Sequence, residues 1–129
     1  MKVIWLGDED MLPKEKNGLK EILNDDLSII RLEVDCFPYS SDGALFILDM
    51  LIDDYLRDRY ERINGVLAGI FPAHAAAAIA REIEQPAVYH SVRYPIKLEN
   101  GETIFEHSHW EHLNRPKERF LYDSRKILE

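Results

Sequence analysis

Asn64-Gly65-Val66-Leu67-Ala68-Gly69-Ile70-Phe71-Pro72-Ala73-His74, followed by an alanine-rich run from Ala75 to Glu84, decides how the rest of the chain is read. Val66 to Phe71 is short, apolar and uninterrupted, the pattern of a strand buried on both faces of a parallel sheet. Pro72 stops it. The next segment carries Ile79 and Ile83 four residues apart on an alanine background, which predicts a helix with one small-residue face. Strand, tight turn and helix start make half of a βα unit, and the open positive end of such a helix is a common ligand position.

Working outward, Lys2 to Leu6 predicts a first strand ended by Gly7, with a loop of Asp8, Glu9, Asp10 and Pro13 after it. Lys14 to Asn24 predicts a helix with Leu19, Ile22 and Leu23 inward, although Gly18 costs it roughly 1 kcal/mol relative to alanine. Ser28 to Val34 reads as a strand nearer a sheet edge, because Arg31 and Glu33 interrupt its apolar run. Asp35 to Asp42 is a turn-rich loop whose Ser40, Ser41 or Asp42 can cap the longest predicted helix, Gly43 to Glu61. That helix shows an apolar stripe of Leu45, Leu48, Ile52, Tyr55, Leu56 and Tyr60, with an ion pair expected between Asp53 and Arg57. Pro86 ends the alanine-rich helix, and Ala87 to Val92 predicts the next strand. Asn100-Gly101 between two alternating runs predicts a hairpin over about 96–109, and Pro116 opens a terminal helix of about 116–127.

Strands alternating with helices predict one α/β domain over 1–129. Its expected form is a small three-layer Rossmann-like or flavodoxin-like fold with a mainly parallel sheet and a C-terminal antiparallel hairpin. In such sheets ligands sit beyond the carboxyl ends of the strands, where the strand order reverses. Four segments fall there: 7–14, 35–43, 72–75 and 90–95.

Composition narrows the function. Sixteen basic and 24 acidic residues give a net charge of −8, which disfavours extended nucleic-acid binding and anionic membrane surfaces. Cys36 is the single cysteine, as suits a reducing compartment. No apolar run reaches the ~20 residues of a membrane span, and the N-terminus lacks the pattern of a signal peptide, so a soluble cytoplasmic protein is expected. Neither a dinucleotide fingerprint nor a phosphate loop is present.

His74 is the leading candidate for a catalytic acid/base or ligand-binding group, because it falls in the first helical turn after the central strand. Ala73 and Ala75 flank it and permit close approach of a ligand, or of the sheet. The loop of Asp8 and Asp10 points away from the ligand, or helps hold a divalent metal, Mg²⁺, or faces a ligand that is not a bare polyphosphate, since like charges 4 Å apart repel by about 4 kcal/mol at an effective dielectric of 20. Tyr39, Ser40 and Ser41 offer hydroxyls to a phosphate or ribose, and equally suit an ordinary cap. Arg93 can fork onto an anion. His107 and His109 alternate on a predicted strand, a spacing that suits a metal, with Glu111 or His112 as a third ligand. The same pattern suits a polar sheet edge lying away from the strand ends.

The order of elements and the strand-Pro72-Ala73-His74-helix turn are similar to those of small Rossmann-like ligand sensors. These include CRISPR-associated nucleotide-sensing (CARF) domains and ring nucleases, and the resemblance implies a nucleotide ligand at the strand ends and a homodimer. Three functions follow as expectations. The first is a module binding a nucleotide or other small anion. The second is a nucleotide-cleaving or hydrolytic enzyme using His74 and a metal. The third is an interaction protein self-associating through its hairpin and terminal helix, with Trp110, Phe120 and Tyr122 at the contact.

Overall fold

A computed structural model describes residues 1–34 and 37–115; the predicted helix of about 116–127 lies outside them. The strands are β1 (Lys2–Leu6), β2 (Ser28–Leu32), β3 (Val66–Gly69), β4 (Val88–Lys97) and β5 (Thr103–His112), in the order β2-β1-β3-β4-β5. β2, β1, β3 and β4 run parallel, and β5 pairs antiparallel with β4. The helices are α1 (Pro13–Leu23), α2 (Ser41–Leu51) and α3 (Ala73–Glu82). This is the expected α/β arrangement, consistent with a small Rossmann-like fold.

Alternation along β1 builds the two cores. Val3 and Trp5 face one way and pack with Leu19 of α1, Val66, Ala68 and Tyr89. Ile4 and Leu6 face the other way, into a larger cluster with Leu48 of α2, Ala75 and Ile79 of α3, and Val88. The winding steps from β1 to β2, then reverses across β1 to β3 and β4. That reversal puts α1 on one face and α2 and α3 on the other, and leaves a gap between the connections that leave β1 and β3.

Several elements differ from expectation for local reasons. The long helix stops early: α2 gives way to a π-helical turn at Ile52–Leu56, and the polar run beyond Leu56 has little apolar surface to bury. There the chain turns with Arg57 bridging Ile63, and the Asp58 carboxylate accepts from the backbone N–H groups of Tyr60 and Arg62. The expected Asp53–Arg57 pair forms at 2.7 Å. In α1, Ile22 is half exposed while Glu15 is fully buried. Gly18 lets the helix lie against β5, since a Cβ there would stand 3.4 Å from the Trp110 indole.

β4 does not end at Val92. It runs five residues further, through Pro95. Leu98 donates to the Glu102 carbonyl at 2.8 Å. By antiparallel alternation, Ile96 and Tyr94 then turn their backbone groups toward β5, while Pro95 turns its own away. On that side no described strand pairs with β4 beyond His90, whose partner Gly69 closes β3, so among the described residues the missing N–H costs no ladder bond. The hairpin turn is one residue longer than a two-residue loop: the Gly101 N–H donates to the Leu98 carbonyl, and Gly101, the turn residue with a positive φ of +87°, closes a three-residue connection.

Gly65, just before β3, has φ +130°, and a Cβ there would lie 2.6 Å from the Lys2 carbonyl oxygen. Gly101 has a positive φ but open space around it. Gly65→Ala is therefore expected to lose about 1–3 kcal/mol in urea unfolding, and more than Gly101→Ala. Equal losses would mean that the Lys2 clash relaxes away.

Candidate functional site

The gap left by the winding reversal is a cleft of about 580 Å³. Its floor and acidic side come from the end of β1 and the residues after it: Leu6, Gly7, Asp8 and Glu9. Glu33 and Val34 follow β2, Phe37 and Tyr39 stand on the loop before α2, and Ile70, Pro72 and His74 lead from β3 into α3. Arg93 completes the wall. It gets there because β4 overruns its parallel neighbours, so the hairpin arm rises beside the strand ends. Arg93 belongs to the 90–95 segment expected at the strand ends, and no residue of 106–112 is among the described lining.

The acidic loop is held in place. The Trp5 indole N–H donates to the Glu9 carbonyl at 2.7 Å, and an Arg31 Nη1–H donates to the Asp8 carbonyl at 2.9 Å. Gly7 donates to the Leu32 carbonyl at 3.1 Å, fastening the β1 exit to the end of β2.

The candidate residues divide. His74, Asp8, Tyr39 and Arg93 share the cleft. His74 Nε2 lies 2.6 Å from the Pro38 carbonyl, so Nε2 carries the proton and donates it; Nδ1 is the nitrogen left for another partner. The Tyr39 ring lies 6.3 Å from the imidazole. Asp10 is nearly fully exposed and faces Arg31 at 3.8 Å. Ser40 accepts from the Gly43 N–H at 3.1 Å, so its hydroxyl is an ordinary N-cap, and Ser41 is the first residue of α2. Ala75 is buried in the core and serves helix-on-sheet packing, while Ala73 opens α3 and is exposed. α3 itself has Pro72 at its N-cap with no side-chain cap, so its first N–H groups are open to a ligand or water.

His107 and His109 do not pair as expected. The ladder slips between Val92↔His109 and Arg93↔His107, leaving Ser108 as an extra residue. Both His107 and Trp110, three apart, consequently reach α1, and His109 beside Trp110 points to the opposite face. Among the described residues no group of three or more His, Cys, Asp or Glu is arranged to hold a metal.

The most constrained polar cluster was not among the sequence candidates. Glu15 is buried, and Oε1 accepts from the Leu12 N–H at 2.7 Å and from Arg93 Nη2 at 2.7 Å. Oε2 accepts from Arg93 Nε at 2.8 Å and from the Ser91 hydroxyl. Ser91 therefore spends its only proton on Glu15, and His107 Nδ1, 2.8 Å from Ser91 Oγ, must be the donor there. The Trp110 indole donates to the Glu15 carbonyl at 3.0 Å. The sequence held one signal for this: Pro13 followed by Glu15 is a proline at the first helical position with a glutamate placed to reach back to the helix start.

No family model matches the chain, and neither the curated proteins nor the solved structures contain a match.

The titrating groups imply a two-stage loss of stability on acidification. Burial, above all, holds His90, His107 and His112 below the usual 6.5. The unfolded chain takes up those protons first, so stability declines as the pH drops below about 6.5. For Glu15, burial pushes the pKa up, but the bonds from Arg93, Ser91 and Leu12 and the charge of Arg93 outweigh it, and the carboxyl sits below 4.5. Its contribution is complete above that value and is lost as the pH falls through the folded-state pKa. Urea unfolding at pH 7, 5.5 and 3.5 should show both declines. Glu15→Gln should shrink the second and cost on the order of 3 kcal/mol at pH 7, by leaving the Arg93 charge without a counter-charge.

Proposed function

We propose that the protein binds a small ligand of the nucleotide class in the cleft beyond β1, β2 and β3. The observation carrying this reading is the composition of the cleft at the winding reversal, the position where open α/β sheets bind ligands. Phe37, Tyr39 and Ile70 suit a flat, weakly polar ring. Asp8, Glu9 and Glu33 suit hydroxyl donors such as those of a ribose, and they would repel a bare phosphate placed against them. The uncapped start of α3 at Pro72–His74 and the Arg93 guanidinium are the parts of the lining where an anionic group is tolerated. Nucleotide monophosphates and cyclic oligonucleotides both belong to this class.

A second reading keeps the same cleft and adds turnover, because Asp8 and His74 both line it. His74 would act through Nδ1 as acid/base, with a divalent metal held by Asp8 and the phosphate. Turnover of a nucleotide substrate that EDTA removes and His74→Ala abolishes supports it; turnover unchanged by both excludes it. Self-association through the hairpin arm is compatible with either reading, since Phe105 is 57% exposed and Tyr94 and Ile104 about two-fifths exposed.

Native mass spectrometry of the protein as purified from cells, before and after EDTA, together with thermal unfolding against a panel of mono- and cyclic nucleotides, tests the binding reading. A retained nucleotide mass, or saturable stabilisation approaching 2.7 kcal/mol at about 100 times Kd, is the expected outcome. Bare protein that no nucleotide stabilises overturns it.

A further inference from the structure

We infer that Arg93 reads the anionic group of the cleft ligand through the end-on fork of its guanidinium, and that Glu15 is the positioning residue that aims it. The inference rests on the proposed cleft reading for the ligand's location and adds which side chain sets its charge preference.

A guanidinium has five N–H donors in one plane. Arg93 commits two of them, one from Nε and one from Nη2, to the two oxygens of Glu15, side-on, at 2.8 and 2.7 Å. Both Nη1 protons and the second Nη2 proton remain, and no described residue accepts from them. Those donors include the parallel Nη1/Nη2 pair, the edge that matches two oxygens of a phosphate or carboxylate.

The guanidinium cannot easily turn away. Its carbon stands 5.8 Å from the Trp5 ring centroid. Its inner edge is gripped by a carboxylate with all four acceptor directions in use, so Glu15 has no alternative position either. The side chain is 19% exposed, and the residue lines the cleft. Among the described cleft-lining residues it is also the one permanent cation, in a lining that includes the carboxylates of Asp8, Glu9 and Glu33. An anionic oxygen entering this acidic cleft therefore has one favourable side-chain partner of fixed direction. Holding that partner beforehand removes the ordering cost from binding.

A purely structural Arg93 would only hold Glu15, and the two roles separate experimentally. Lysine retains an ion pair with Glu15 but has no end-on fork. AMP and adenosine differ by the phosphate alone. Calorimetric titration of wild type and Arg93→Lys with both probes is expected to show AMP affinity falling about tenfold or more with adenosine affinity unchanged. Glu15→Gln, which keeps an acceptor but loosens the clamp, is expected to lower AMP affinity selectively by a smaller factor. Equal loss for both probes, or loss for neither, overturns the inference and leaves the cleft reading intact.

If wild type binds neither probe, adenine mononucleotides are excluded as the ligand, and the fork is judged by itself. Side-chain nitrogen resonances of Arg93 are then followed under titration with inorganic phosphate. A saturable Arg93 shift, with the exposed Arg31 unmoved, sustains the inference; no shift overturns it.

Discussion

A single buried carboxylate ties together the three parts of this fold that have least reason to stay together. Glu15 lies in the first turn of α1, yet its oxygens are bonded to β4 through Ser91 and Arg93, and its own carbonyl to β5 through Trp110. A glutamate stripped of water costs several kcal/mol unless every acceptor direction is answered. Here each one is, so the geometry of all the donors is set by one demand. The demand is strict because donors and acceptor come from segments almost eighty positions apart. The clamp therefore specifies how the hairpin docks as much as it stabilises the docked state.

That clamp sits next to the winding reversal, which gives the structure its second asymmetry. The two faces of β1 belong to different cores, one closed by α1 and one by α2 and α3. The connections separate above the sheet, and the chain fills the gap only in part. The residues around it belong to the ends of β1, β2 and β3, the loop before α2, the start of α3 and the body of β4, so no single segment owns the cleft. Its chemistry is divided the same way, with carboxylates on the β1 and β2 side and an uncapped helix start on the β3 side.

Much of the fold is legible in the sequence because it is local. The uninterrupted Val66–Gly69 run, the stop at Pro72, the Ser40 cap and the turn at Gly101 each follow from a few neighbouring residues. What the sequence conceals depends on partners far along the chain. Glu15 reads as a solvated helix residue until Arg93 is placed beside it. Pro95 reads as the end of a strand until its neighbour β3 is seen to have already finished. The spacing of His107 and His109 suggests one face, and the extra residue Ser108 breaks that alternation. The cleft follows the same division. Asp8, Tyr39, His74 and Arg93 are readable as strand-end residues. Glu9 falls in the same 7–14 segment as Asp8, whereas Glu33 lies outside the four segments, and the Gly7 bond to the Leu32 carbonyl fastens the β1 exit beside it.

Pro95 has one more consequence. Past His90, no described strand pairs with β4 on its cleft side, and this is the kind of edge on which an extended peptide can zip up as an added strand. With Pro95 in that edge, the edge lacks a donor at its midpoint, and a foreign strand would meet a missing rung. The arm can border an open cavity without inviting polypeptide into it.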